Sequence, residues 1–161
     1  MSPEPAAPVR YFEDYPEGAV FDIGEIAMEE EELIAFARRF DPQPFHVDAA
    51  VAAADYPYGG LIASGWHTAS LMMRLLVTHF LSPASSLGSP GVDELRWPRP
   101  VRPRDRLRGR VTVVSARPSA SKPDRGILIT LMELHNQHGE QVFSTRATNI
   151  LRRRPAAAET P

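Results

Sequence analysis

The run WHTASLMMRLLVTHFL, residues 66–81, constrains the fold more than any other stretch of the chain. Ten of its 16 residues are apolar, and they spread around the whole circumference of a helix instead of lying along one stripe. A helix that is apolar all round has to be buried all round. At a rise of 1.5 Å per residue it would be roughly 24 Å long. The run is also too short for a bilayer span, which takes about 20 residues, and it carries Arg74, His67 and His79. It therefore predicts a long helix at the centre of a water-soluble core. The chain has 161 residues, 43% of them hydrophobic, which is enough for one such core and too little for two independent ones.

Beyond this helix the chain changes character. Residues 91–101, 106–117, 126–137 and 140–153 are β-rich segments separated by Pro, Gly and Asp turns. Asn136-Gln137-His138-Gly139 reads as the hairpin loop between the last two. Before the helix, a strand is predicted around Ala19 to Ile26 and a helix over Glu29 to Phe40, with glutamates at its start and Arg38 and Arg39 at its end, as the helix dipole favours. Asp41-Pro42 stops that helix. A shorter helix is predicted within residues 47–56, with Asp48 placed to cap it. One early strand, short helices, one buried helix and about four antiparallel strands make an α+β fold, in which an antiparallel sheet wraps around a long central helix. Residues 1–10 read as a flexible lead, 11–154 as the domain and 155–161 as a disordered tail.

Composition removes several classes of function. Eighteen basic against twenty acidic residues give a net charge of -2, so no global field draws the chain to nucleic acid or an anionic membrane. With no cysteine there is no disulfide, thiolate metal site or cysteine nucleophile. The N-terminus lacks the pattern of a secretory signal, and a cytoplasmic location is expected. His67, His79, His135 and His138 have no ligand-like spacing, so no metal is expected. The sequence around Ser64, IASGW, lacks the nucleophile elbow of serine hydrolases.

The stretch that carries chemistry is RRFDPQPFHVDAA, residues 38–50. Asp41 and His46 lie five positions apart, and Pro42 and Pro44 remove backbone freedom between them. Taken alone, Asp41 could be a turn residue and His46 a partly buried loop histidine.

The order of FDPQPFHVD, then GGLIASGWHTASLMMRL, then ELRWPRPVRPRDRL resembles the MaoC-like dehydratases, single-hotdog relatives of the (R)-specific enoyl-CoA hydratases, over nearly the whole chain. The family's aspartate, usual asparagine, proline, histidine and second aspartate fall on Asp41, Gln43, Pro44, His46 and Asp48. The resemblance implies a hotdog fold and an Asp41/His46 catalytic pair that adds water across a trans-2-enoyl thioester, or removes it in the reverse direction. It implies the backbone N–H of Gly65 as oxyanion donor, with glycine letting the thioester carbonyl approach. Ser64, Gln43, Phe45 and Trp66 are the candidate substrate-binding residues, and Tyr56 and Tyr58 are further candidates for the pocket wall. Coenzyme A enters as part of the substrate, with no other cofactor. The resemblance also implies a homodimer or higher homo-oligomer with active sites at the subunit interface. Such chemistry independently needs a base for the water, an acid for the α-carbon and a donor for the enolate-like oxygen. A hotdog acyl-CoA thioesterase and a non-catalytic acyl-thioester-binding subunit share the fold and are the rival expectations.

Other residues have simpler readings. Asp48 and Ser64 are expected as helix caps, and Met72 and Met73 as core filler. The alternating arginines among Arg96, Arg99, Arg102, Arg104, Arg106, Arg108 and Arg110 are expected on a solvated sheet face, although some could contact the phosphates of coenzyme A.

Overall fold

The computed structural model describes residues 8–156. The expected disorder of residues 157–161 and the lead before residue 8 lie outside the described residues. A 3-10 turn, Phe12–Asp14, leads into β1 (Val20–Ala27), α1 (Glu30–Phe40), α2 (Pro44–Val47), α3 (Ala49–Asp55), α4 (Gly65–His79), β2 (Gly91–Arg96), β3 (Arg106–Pro118), β4 (Arg125–His135) and β5 (Gln141–Arg152). The strands form one antiparallel sheet in the order β1-β3-β4-β5-β2. This is the hotdog arrangement, with α4 as the central helix.

Alternation along β3, β4 and β5 puts Leu107, Val111, Val113, Leu128, Met132, Leu134, Phe143, Ala147 and Leu151 on the inner face. There they meet Leu71, Met72, Leu75, Leu76 and Phe80 of the helical segment. Gly109 of β3 lies beneath Ile23 of β1 and Leu75 of α4, where a Cβ would lie 2.6 Å from Ile23 and 3.0 Å from Leu75. A larger residue there would force helix and strand apart. Beyond the end of α4, Phe80 is enclosed by Tyr15 and Phe21 at ring separations of 4.9 and 5.2 Å, and the Tyr15 hydroxyl donates to the Phe80 carbonyl.

The sheet covers one side of α4 and leaves the other open. Trp66, Met73 and Val77 are exposed, so the expectation of a helix buried all round is corrected within a single chain, as is the reading of Met73 as core filler. Met72 is buried as expected. The expected first β segment after the helix is also shortened. It ends at Arg96 because Pro98, Pro100 and Pro103 cannot donate to a ladder, and residues 97–105 form a loop. On the outer sheet face Arg106 pairs with Glu25, Arg108 with Asp22 and Arg110 with Glu133, the solvated arrangement expected of them. Among the described residues no helix is long and apolar enough to cross a membrane.

Candidate active site

Three segments converge at the start of α4: the end of α1 with α2, the extended residues 61–64, and the loop 97–101. Asp41 comes directly after the last turn of α1, its N–H bonded to the Ala37 carbonyl. Pro44 then opens α2, the first-turn position where a missing N–H costs nothing. This single helical turn holds His46. Residues 61–64 are tied to both sides, since Ile62 N–H donates to the Phe45 carbonyl at 3.2 Å and Ala63 N–H to the Val101 carbonyl at 2.8 Å.

His46 is 5% exposed, and its Nδ1 is 2.8 Å from the Ile62 carbonyl oxygen. A carbonyl can only accept, so Nδ1 carries a hydrogen, and Nε2 is turned toward Asp41. Nε2 stands 3.3 Å from Asp41 Oδ2. At that distance the two groups can share a proton or hold one water in front of them.

The carboxylate is held from behind. Ser64 Oγ donates to Oδ2 at 2.7 Å, and Gln43 Nε2 donates to Oδ1 at 2.7 Å. Burial alone would raise the Asp41 pKa. The Ser64 and Gln43 hydrogen bonds and the adjacent His46 outweigh it, so the carboxyl titrates below its ordinary range. Asp41 is therefore an anion near neutral pH, ready to accept.

Gly65 is the first residue of α4, so its N–H is among those without an intrahelical acceptor and lies at the positive end of the dipole. The cap expected of Ser64 is absent. Its Oγ accepts from no N–H of the first turn of α4, and its hydroxyl donates to Asp41 Oδ2. Fully buried, Ser64 sits behind the carboxylate and not on the cleft wall where a substrate-binding residue would stand. Asp48 does cap α3, accepting from Ala50 and Val51 N–H at 3.0 Å each.

Asp41, Gln43, Phe45, His46, Gly65 and Trp66 all line one cleft of about 470 Å³. Tyr58 lines it too, whereas Tyr56 packs edge-on behind Phe45 at 4.9 Å. Sequence reasoning missed three contributors: the Ile62 carbonyl that orients His46, Trp97, and Thr68. A Cβ on Gly65 would lie 2.5 Å from the Trp97 ring, so the protein's own indole requires glycine there. The Trp-Pro pair in ELRWPRPV was the available signal, a strand ended by proline with an aromatic at the break.

The comparisons with known proteins agree with this fold. The profile of the MaoC like domain matches residues 13–127. The chain belongs to the MaoC-like domain family. A MaoC-like dehydratase structure from Rhodospirillum rubrum is 42% identical, with a TM-score of 0.84 over 92% of this chain and 100% of that one. The unliganded R-hydratase PhaJ1 of Pseudomonas aeruginosa is 25% identical, with a TM-score of 0.73 over 94% of this chain and 93% of that one. YdeM, an uncharacterised protein of Bacillus subtilis, is 27% identical over 84% of this chain and 94% of its own.

Proposed function

We propose that this MaoC-like protein is an (R)-specific enoyl-CoA hydratase, or in reverse a 3-hydroxyacyl-CoA dehydratase. The observation that carries the reading is the Asp41–His46 contact in a cleft that also contains the N-terminus of α4. A water in front of the pair, within hydrogen-bond reach of both Oδ2 and Nε2, attacks the β-carbon. The pair takes one of its protons and delivers one to the α-carbon, so the elements of water add without oxidation or reduction and no redox cofactor or metal is called for. Negative charge on the thioester oxygen is met by the Gly65 N–H and the helix dipole. Gln43 and Ser64 fix the carboxylate, and Phe45 and Trp66 bound the substrate. The (R) stereochemistry is supported by the similarity to the R-hydratase PhaJ1.

A second cavity of about 300 Å³ shares Trp66 with the cleft and runs along α4 past Met72, Met73 and Leu76 to Leu95 and Phe143. It offers apolar room for the acyl chain. The same reading makes the protein a homodimer, supported by the apolar Trp66, Met73 and Val77 left open on α4 and Val92 on the edge strand β2. Light scattering after size exclusion checks that state.

Activity is tested by loss of enoyl conjugation with crotonyl-CoA and with longer and branched enoyl-CoAs, alongside free-thiol detection. Conjugation should fall without thiol release in wild type and persist in Asp41→Asn and His46→Ala. Thiol release would place the protein among the thioesterases, and thioester binding without turnover among the non-catalytic subunits.

A further inference from the structure

Seven arginines crowd the stretch from residue 96 to 110, and the fold separates them. Arg106, Arg108 and Arg110 are committed to carboxylates on the outer sheet face. Arg102 donates to the Tyr58 carbonyl at 2.7 Å, and Arg104 lines a separate cavity with Glu29 to Glu32. Arg96 is on the edge strand and is not on the cleft wall. Among the described residues only Arg99 puts a guanidinium on the wall of the cleft that holds Asp41 and His46.

Its neighbours make Arg99 a stiff post at the rim. Pro98 and Pro100 flank it, and the adjoining Val101 carbonyl is bonded to Ala63. Arg99 Nη1 is 3.3 Å from Glu140 Oε1, and Glu140 is itself pinned in the β4–β5 turn by Asn136, whose Nδ2 donates to Oε2 at 3.0 Å. The Arg99 side chain is 59% exposed, whereas the His46 side chain is 6% exposed, so the cleft runs from a buried reacting end to a cationic mouth.

We propose that Arg99 is the phosphate-binding residue for the carrier arm of the thioester, with Glu140 holding the guanidinium in place until a phosphate displaces it. This rests on the reading of the cleft as a thioester site. With the acyl end at the dyad, the part of the substrate that passes the mouth is the arm, and its anionic groups are phosphates. Arginine's planar fork suits them. An exposed Arg–Glu pair is weak, so exchange for a doubly hydrogen-bonded phosphate is favourable.

The test is calorimetric binding of free coenzyme A, 4′-phosphopantetheine and pantetheine to the full chain, in wild type, Arg99→Glu and Glu140→Gln. Arg99→Glu should weaken coenzyme A about tenfold. Glu140→Gln should tighten it, and pantetheine, without a phosphate, should respond to neither. A loss shared by phosphopantetheine assigns the phosphate that coenzyme A and a carrier protein have in common. A loss confined to coenzyme A assigns its nucleotide phosphates. Equal weakening of pantetheine, no weakening of coenzyme A, or failure of wild type to bind coenzyme A would overturn the proposal. Hydration is read by the separate thioester assay, so either idea can fail without the other.

Discussion

His46 and His67 are equally hidden, each 5% exposed, and lie within one stretch of the fold, yet their surroundings differ in kind. His46 has a polar neighbour at each nitrogen, a carbonyl at Nδ1 and a carboxylate at Nε2. His67 stacks flat on Phe36, with 4.7 Å between centroids and 8° between planes, and its buried Nδ1 has no hydrogen-bond partner among the described residues. Burial therefore does not mark a reactive imidazole. A ring held between a carbonyl and a carboxylate can pass a proton, while a ring stacked on an aromatic with no partner at Nδ1 among the described residues is placed for packing.

If that difference is functional, breaking the polar pair should have the largest effect of any single change to the chain. Asp41→Asn and His46→Ala should each lower kcat for crotonyl-CoA hydration by about 10²–10⁴-fold, the range for a lost general acid or base. The double variant should be little worse than either single one, since the two groups act on one water. Additive losses would mean that they act on different steps.

Gly65→Ala comes next. The new methyl meets the Trp97 ring at a distance no Cβ tolerates, so the indole or the helix end must shift. Loss of oxyanion geometry should lower kcat by about 10²-fold. Circular dichroism and a thermal melt separate that loss from unfolding, and Gly65→Ala with Trp97→Ala should recover part of the rate if the indole is what misplaces the donor.

Ser64→Ala is a milder cut at the same side of the comparison. It removes a donor to a charged acceptor, for roughly a tenfold loss in kcat. The pH profile gives the sharper readout. The Ser64 hydrogen bond is one of the causes that hold the Asp41 pKa down. Its loss should move the acid limb of kcat/KM to higher pH, whereas a purely structural role for Ser64 would leave the limb in place.

The elements were largely legible in the sequence because each has a period. Strand alternation and the apolar circumference of residues 66–81 located β1 to β5 and α4 within a few residues. The chemistry-bearing pair was visible from its motif, but its supports were not. Ser64 had the sequence position of a cap, and only the fold shows Asp41, 23 residues earlier, taking its hydroxyl. The one-turn α2 was hidden by Pro42 and Pro44, which read as a stiff loop although Pro44 suits a helix start. Trp97 against Gly65 and Arg99 at the cleft mouth depend on a proline-rich loop whose path no local rule dictates. The open face of α4 escaped because apolar periodicity says that a surface wants cover, not whether the same chain supplies it.

The smallest effect is expected at the other histidine. Burial lowers the His67 pKa below its ordinary value, and Glu32 only partly opposes this. A folded pKa below the unfolded one means that the fold favours the neutral ring. His67 therefore costs no stability above the unfolded pKa of about 6.5, and an increasing amount as pH falls from there toward the lower folded value. His67→Phe keeps a flat ring for Phe36 and leaves nothing to protonate. Its Tm should be close to wild type at pH 7.5, and its decline between pH 7 and pH 5 should be shallower. Hydration of crotonyl-CoA at neutral pH should change far less than in the His46 variant. An equally steep decline in Tm would show that His67 is already solvated or paired when charged, and a collapse of activity at neutral pH would put this imidazole in the machinery after all and dissolve the contrast between the two rings.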